Sequence, residues 1–330
     1  MNDLRAGPHI HDRRRGIAFL LCTMVLWSFP TLAIEFLTEY MDLYTQNLVR
    51  FTAASVFLWT VCLVRSRKEL LAGAWMLLRA LPAVLAVFGY QYLVVRALYM
   101  KNVLPGLTFM VVRATVLFTA VMSCIFFADE RSVMRDRRFI IGALLCLAGL
   151  AGFVVIGAGS GAPVDPASGV ALIWGILIIL ASAFCWSLYT ILIKLLVRKG
   201  SPLVTYTYIC TLMTIAFAVL TYFKGEPLDK VPGGMRGAWV WIVAVGSGAL
   251  CVGAGHVCYY YGIRILGTTV CATALLANMF FTPLLSHFIF EERFGPLHVV
   301  AGGLLIAGSF FTIRARPQNH NKANKVPGTL

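Results

Sequence analysis

Acidic residues are scarce in this chain: 14 Asp and Glu stand against 28 Lys and Arg, and charged residues fill only 13% of the 330 positions. A soluble domain of this length would carry roughly twice that charged fraction, which argues against a water-soluble globular protein. Short segments of alternating polarity are also missing, which excludes a membrane β-barrel. No phosphate loop with Gly-Lys-Ser/Thr occurs, so the chain is not read as an ATP-driven pump. Without a Gly-x-Ser-x-Gly elbow or a His/Glu/Asp metal pattern, no hydrolase site, metal or cofactor is expected. The nine cysteines (22, 62, 124, 146, 185, 210, 251, 258 and 271) all fall in apolar runs without ligand spacing or external clustering. That excludes a disulfide framework and a zinc site and leaves buried free thiols as the reading.

What the chain does have is apolar sequence, 59% of it, in blocks of about 20 residues, the length that crosses a ~30 Å hydrocarbon core as helix. The net charge of +14 comes from basic residues between these blocks, not on one surface. They read as topology signals, not as a nucleic-acid footprint. Residues 1–15 form a polar tail ending in Arg13-Arg14-Arg15, and His9, His11 and Asp12 are read as part of that tail, not as a metal cluster. A basic run before an apolar stretch resembles a signal peptide. No small-residue cleavage site follows, so the stretch is kept as the first span.

Ten spans are expected, near 17–36, 44–64, 80–100, 104–127, 138–157, 170–193, 203–223, 238–262, 267–290 and 296–313. Small residues in the fifth (Gly142, Gly149, Gly152) and the tenth (Gly302, Gly303, Gly308) permit close helix approach in lipid. Gly246, Gly248, Gly253 and Gly255 mark the eighth as tightly packed or locally irregular. With the N-terminus inside, twenty Lys and Arg fall in cytoplasmic segments and five outside (Lys101, Lys224, Lys230, Arg236, Arg293); three lie within spans. This bias places both termini in the cytoplasm.

Three landmarks recur in order. Trp27-Ser28 returns as Trp186-Ser187, Gly142-Ala143-Leu144-Leu145 as Gly302-Gly303-Leu304-Leu305, and Glu130-Arg131 as Glu292-Arg293. Three matches at nearly one offset indicate duplication. Five spans is an odd number, so the second half crosses in the opposite sense, which is the inverted-repeat plan of many secondary transporters.

Ten spans in two halves, an early Trp-Ser in each, and an acidic-Arg ending after spans four and nine resemble the EamA-type drug/metabolite transporters over roughly residues 16 to 315. Two departures stand out. The usual Gly-Glu ending is Asp129-Glu130 in one half and Glu291-Glu292 in the other, and Pro283 in span nine has no counterpart in span four. The resemblance implies a plasma-membrane carrier of small metabolites working by alternating access. The expected fold class is an all-α membrane protein with ten transmembrane helices in two inverted five-helix repeats. Its segments are a cytoplasmic tail (1–15), a first repeat (16–157), an external linker (158–169), a second repeat (170–314) and a cytoplasmic tail (315–330).

Arg50, Arg96 and Arg113 lie within spans, about 9, 6 and 13 Å from the outer ends at 1.5 Å per residue. Arginine at depth costs a few kcal/mol unless it meets water or a partner. Such residues either line a cavity and attract an anion, or snorkel to the interface and pair with Glu35 and Glu39. For Arg50 and Arg96 the interfacial reading is preferred. Arg113, too deep to snorkel easily, is the first anchor to test. Trp27, Tyr90, Trp186, Tyr189 and Tyr260 are candidate aromatic groups of a substrate site. Asn278 and Thr282, four apart, share a helix face as candidate polar groups. Glu35, His256 and His287 are candidate coupling groups, since proton-coupled carriers need an intramembrane titratable side chain.

The sequence therefore reads as a secondary transporter in the bacterial inner membrane. Its expected partners are the lipid bilayer and a small anionic or zwitterionic substrate, with a homodimer left open. The rivals are a carrier of amino acids or neutral, aromatic solutes gripped by rings, a channel, and an integral-membrane enzyme, for which the short loops supply too few catalytic groups.

Overall fold

A computed structural model describes residues 10–72, 76–99, 112, 115–159, 169–198, 200–278, 280–281, 284–285, 288 and 296–315. Helices make up these residues almost throughout, with no strand among them. In the first half they are α1 (Ile10–Leu26), α2 (Pro30–Thr38), α3 (Leu43–Arg65), α4 (Arg67–Ala72), α5 (Met76–Tyr99), α6 (Thr115–Phe126), α7 (Ala128–Met134) and α8 (Arg137–Gly159). The second half has α9 (Gly169–Val197), α10 (Pro202–Lys224), α11 (Gly234–Gly246), a π-helical segment Ser247–Ala254, α12 (Gly255–Leu266), α13 (Thr268–Ala274), a 3₁₀ turn Leu275–Ala277 and α14 (Pro296–Arg314). Five helical stretches among the described residues are long and apolar enough to cross a membrane: Leu43–Arg65, Met76–Ala97, Leu177–Val197, Pro202–Lys224 and Gly234–Leu266. The ten spans expected from sequence exceed these five.

Local chemistry sets several boundaries. The Asp42 carboxylate accepts from the backbone N–H of Tyr44 (2.7 Å) and Thr45 (3.2 Å) and so opens α3, satisfying two donors that a helix start leaves without partners. Prolines stand first in α2, α10 and α14, where the missing N–H costs nothing. Pro30 also corrects a sequence expectation. The first span is not continuous, because a turn at Trp27–Phe29 separates α1 from α2. A proline ring clashes with the carbonyl four residues earlier, here that of Leu26, and breaks the helix. The related stretch of α9 has no proline and continues unbroken through Trp186.

The eighth span is irregular, as its glycines suggested: eight residues are wound as π-helix between α11 and α12. This segment packs on α3 so closely that a Cβ on Gly248 would lie 2.3 Å from the Arg50 carbonyl oxygen.

Much of the helix pairing follows the repeat. α8 packs on α14, α3 on α10 and α6 on α13, each pair uniting related helices of the two halves. α1 with α12 and α5 with α9 exchange with each other under the same relation, as do α3 with the π segment and α5 with α10, whereas α6 also packs on α9. α8 and α14 meet through glycine, where a Cβ on Gly142 would fall 2.6 Å from the Gly308 carbonyl oxygen. The two ends of the described chain share one face, the terminal face, since Arg13 Nη2 donates to the carbonyls of Ile313 (2.6 Å) and Ala315 (2.5 Å).

Candidate functional site

A cavity of about 180 Å³ lies where the α1–α2 turn, α2, α3, α5, α6, α9, the π segment, α12 and the α13 stretch converge. Its polar lining includes Arg50, Gln91, His256 and Asn278, its aromatic lining is Trp27, Phe51, Tyr90 and Trp186, and mostly aliphatic side chains fill the rest.

Arg50 is 2% exposed, and its Nε and Nη1 atoms have no hydrogen-bond partner. No acidic side chain is among the described residues that line the cavity. This corrects the preferred sequence reading, in which Arg50 reached the interface. Depth counted along one helix does not say which face a residue takes, and the packing of α3 against the π segment turns Arg50 inward. Nearby, Asn47 donates through Nδ2 to the Leu43 carbonyl (2.9 Å) and accepts from Gln91 Nε2 (2.9 Å), which fixes the amide at the cavity wall. Asn278 is 3% exposed and its Oδ1 has no partner. The cavity thus holds buried donors without acceptors and a buried acceptor without a donor. Such groups are rare in folded proteins and cost free energy unless something fills them.

The aromatic wall is continuous. Trp27 meets Trp186 edge to face at 5.4 Å and His256 at 4.8 Å, and Tyr90 lies 4.7 Å from Trp186. The Trp27 indole N–H donates to the Cys251 carbonyl of the π segment (3.1 Å). Beneath this wall lies a second, fully buried layer. Tyr189 and Tyr260 join their hydroxyls in one hydrogen bond, and Tyr259 lies 3.5 Å from Thr190 Oγ1 through its hydroxyl. Tyr189 and Tyr260, candidate substrate groups in the sequence, are therefore outside the cavity lining, because their polar ends satisfy each other.

The other candidates divide. Arg96 is exposed, and its Nη1 donates to the Tyr92 hydroxyl at 3.4 Å. Arg113, Thr282 and His287 lie outside the described residues, as does the side chain of Glu35.

Sequence reasoning missed one site altogether. Lys194 and Glu130, side chains 5% and 2% exposed, form an ion pair at 2.5 Å. The same carboxylate accepts from the Thr268 backbone N–H (2.7 Å), the Thr268 hydroxyl (2.9 Å) and the Thr269 N–H (3.3 Å). The Lys194 ammonium also lies 4.2 Å from the Phe127 ring centroid. The signal was there: Lys194 interrupts the run Leu192-Ile193-Lys194-Leu195-Leu196. By sequence alone, Lys194 falls just past the expected sixth span (170–193), among the basic residues of the cytoplasmic segments.

The model of the EamA-like transporter family matches twice, over residues 14–155 and 173–314. An uncharacterized transporter of Haemophilus influenzae is 21% identical over 296 residues, 88% of this chain and 93% of that protein. The uncharacterized transporter YyaM of Bacillus subtilis is 25% identical over 198 residues, 59% of each chain. A protein of known crystal structure shares the fold, with a TM-score of 0.71 at 19% identity over 95% of this chain and 100% of the other.

Proposed function

The chain belongs to the EamA-like transporter family, and from that premise we propose that it is a secondary carrier of a small anionic or zwitterionic metabolite. Family and relatives point to a transporter in a membrane and away from an enzyme. In this reading ten spans form two inverted halves, the terminal face is cytoplasmic, and the cavity alternates between the two sides of the bacterial inner membrane.

One observation carries the substrate class: buried Arg50 lines the cavity, two of its guanidinium nitrogens have no hydrogen-bond partner, and no acidic side chain is among the described lining residues. A buried guanidinium favours a carboxylate or phosphate, which it holds through paired N–H groups. Each charge-assisted hydrogen bond is worth about 1.5–3 kcal/mol, enough to offset much of the cost of holding arginine at that depth. Asn278 Oδ1 adds an acceptor for an ammonium or amide N–H, and Trp27, Tyr90 and Trp186 close around the remainder. Arg113 stays a candidate in the same half. The aromatic wall supports a second reading, a neutral aromatic solute held by rings alone.

Uptake into proteoliposomes separates the two. Labelled anionic, zwitterionic, cationic and neutral metabolites are screened with wild type and Arg50→Met. The expected result is uptake of anions or zwitterions alone, lost in the variant. Equal uptake of neutral aromatic solutes by both proteins overturns the reading.

A further inference from the structure

Glu130 is a first-half residue that holds second-half elements by four contacts: one to Lys194 of α9 and three to the start of α13. A buried ion pair is a poor stabiliser, because desolvating two charges consumes most of what their attraction returns. Its place suggests another use. Along α9, Trp186 lines the cavity, Tyr189 sits in the buried tyrosine layer, and Lys194 lines a groove open at the terminal face. Eight residues of helix separate Trp186 from Lys194, about 12 Å. The order repeats from His256 through Tyr259 and Tyr260 to Leu266, which lines the same groove. The tyrosine layer therefore lies between cavity and groove, and the ion pair lines the groove on the far side of that layer from the cavity.

α13 connects the two places. Its first residues are held by Glu130, and Ala272, Leu275, Leu276 and Asn278 further along the same stretch line the cavity. Gly267, which precedes it, has φ +94°, and a Cβ there would come within 2.6 Å of Glu130 Oε1. The junction is thus built around the carboxylate.

We infer that Glu130, Lys194 and the Thr268–Thr269 backbone form a lock that closes the cavity toward the terminal face, opened when α13 shifts in response to what occupies the cavity at Asn278. The inference rests on the alternating-access reading. Glu130 and Lys194 act as positioning residues: they hold α13 and do not touch the substrate.

The test reads the lock without transport. Cys271, one turn along α13 from Thr268, and Cys62, on α3 against Thr207 of α10, are both fully buried. The full chain is alkylated with N-ethylmaleimide in lipid nanodiscs, and each site is followed by peptide mass spectrometry. Glu130→Gln and Lys194→Met are each expected to raise the Cys271 rate at least about tenfold, as local opening becomes easier, and to leave the Cys62 rate unchanged. Thr268→Val keeps the backbone donors and serves if the charge variants do not fold; it should raise Cys271 labelling about threefold or more. Unchanged Cys271 labelling overturns the lock. A parallel rise at Cys62 also overturns it, because that is general loosening. If wild type moves no anion while these rates behave as expected, the substrate reading fails and the lock stands.

Discussion

The indole rings of Trp27 and Trp186 meet edge to face, centroids 5.4 Å apart, on the wall of one cavity. They stand 159 positions apart and begin the same dipeptide in the two halves. The following serines behave alike: each hydroxyl donates to the carbonyl four residues earlier, Ser28 to Met24 and Ser187 to Ala183. The repeat read along the chain thus closes on itself in space.

Trp27 and Trp186 should be energetically coupled. A double-mutant cycle with Trp27→Ala and Trp186→Ala, read by unfolding of the purified protein, is expected to give about 0.5–1.5 kcal/mol of interaction. Trp27→Phe should cost stability beyond its lost area, because it leaves the Cys251 carbonyl without the indole donor.

Gly267→Ala should destabilise by about 1–3 kcal/mol, since it forces a side chain into positive φ and against the Glu130 carboxylate. Gly233→Ala is the control: its φ is −74° and nothing lies within 4 Å of the added methyl. Melting temperatures of the two variants should separate clearly, with Gly233→Ala near wild type.

Gly142→Ala and Gly248→Ala should fail differently. The first pushes α8 off the α14 backbone, so melting temperature falls and the KM of the remaining transport is unchanged. The second pushes the π segment off Arg50, so KM rises as well. Kinetics beside thermal unfolding checks both.

Arg96→Gln should leave uptake within about twofold of wild type, because an exposed arginine with a long contact to Tyr92 contributes little.

The sequence disclosed most where chemistry is periodic or local. Runs of apolar residues located the long helices, and the glycines at 246, 248, 253 and 255 announced the irregular segment that became π-helix. Pro30 was visible, yet its break in the first span went unread because hydropathy continues across it. Site residues were less legible. Trp27, Trp186, Tyr90 and Asn278 line the cavity, whereas Tyr189 and Tyr260 lie behind it; aromatic type does not say which ring turns to a neighbour. Arg50 and Arg96 looked equivalent by depth and differ by packing face. Glu130 was noticed only as a repeat marker, since its partners Lys194 and Thr268 lie 64 and 138 positions away.

In the proposed mechanism Arg50 binds the substrate anion. Equilibrium binding of the transported metabolite to purified wild type, Arg50→Lys and Arg50→Met is the decisive measurement. Arg50→Met should lose about 100-fold in affinity, with an intermediate loss for Arg50→Lys, which keeps the charge but not the paired donors. The melting temperature of Arg50→Met should stay at or above wild type, since an unpaired buried charge has been removed. Unchanged affinity in Arg50→Met would rule out Arg50 as the anion site and pass that role to the aromatic wall.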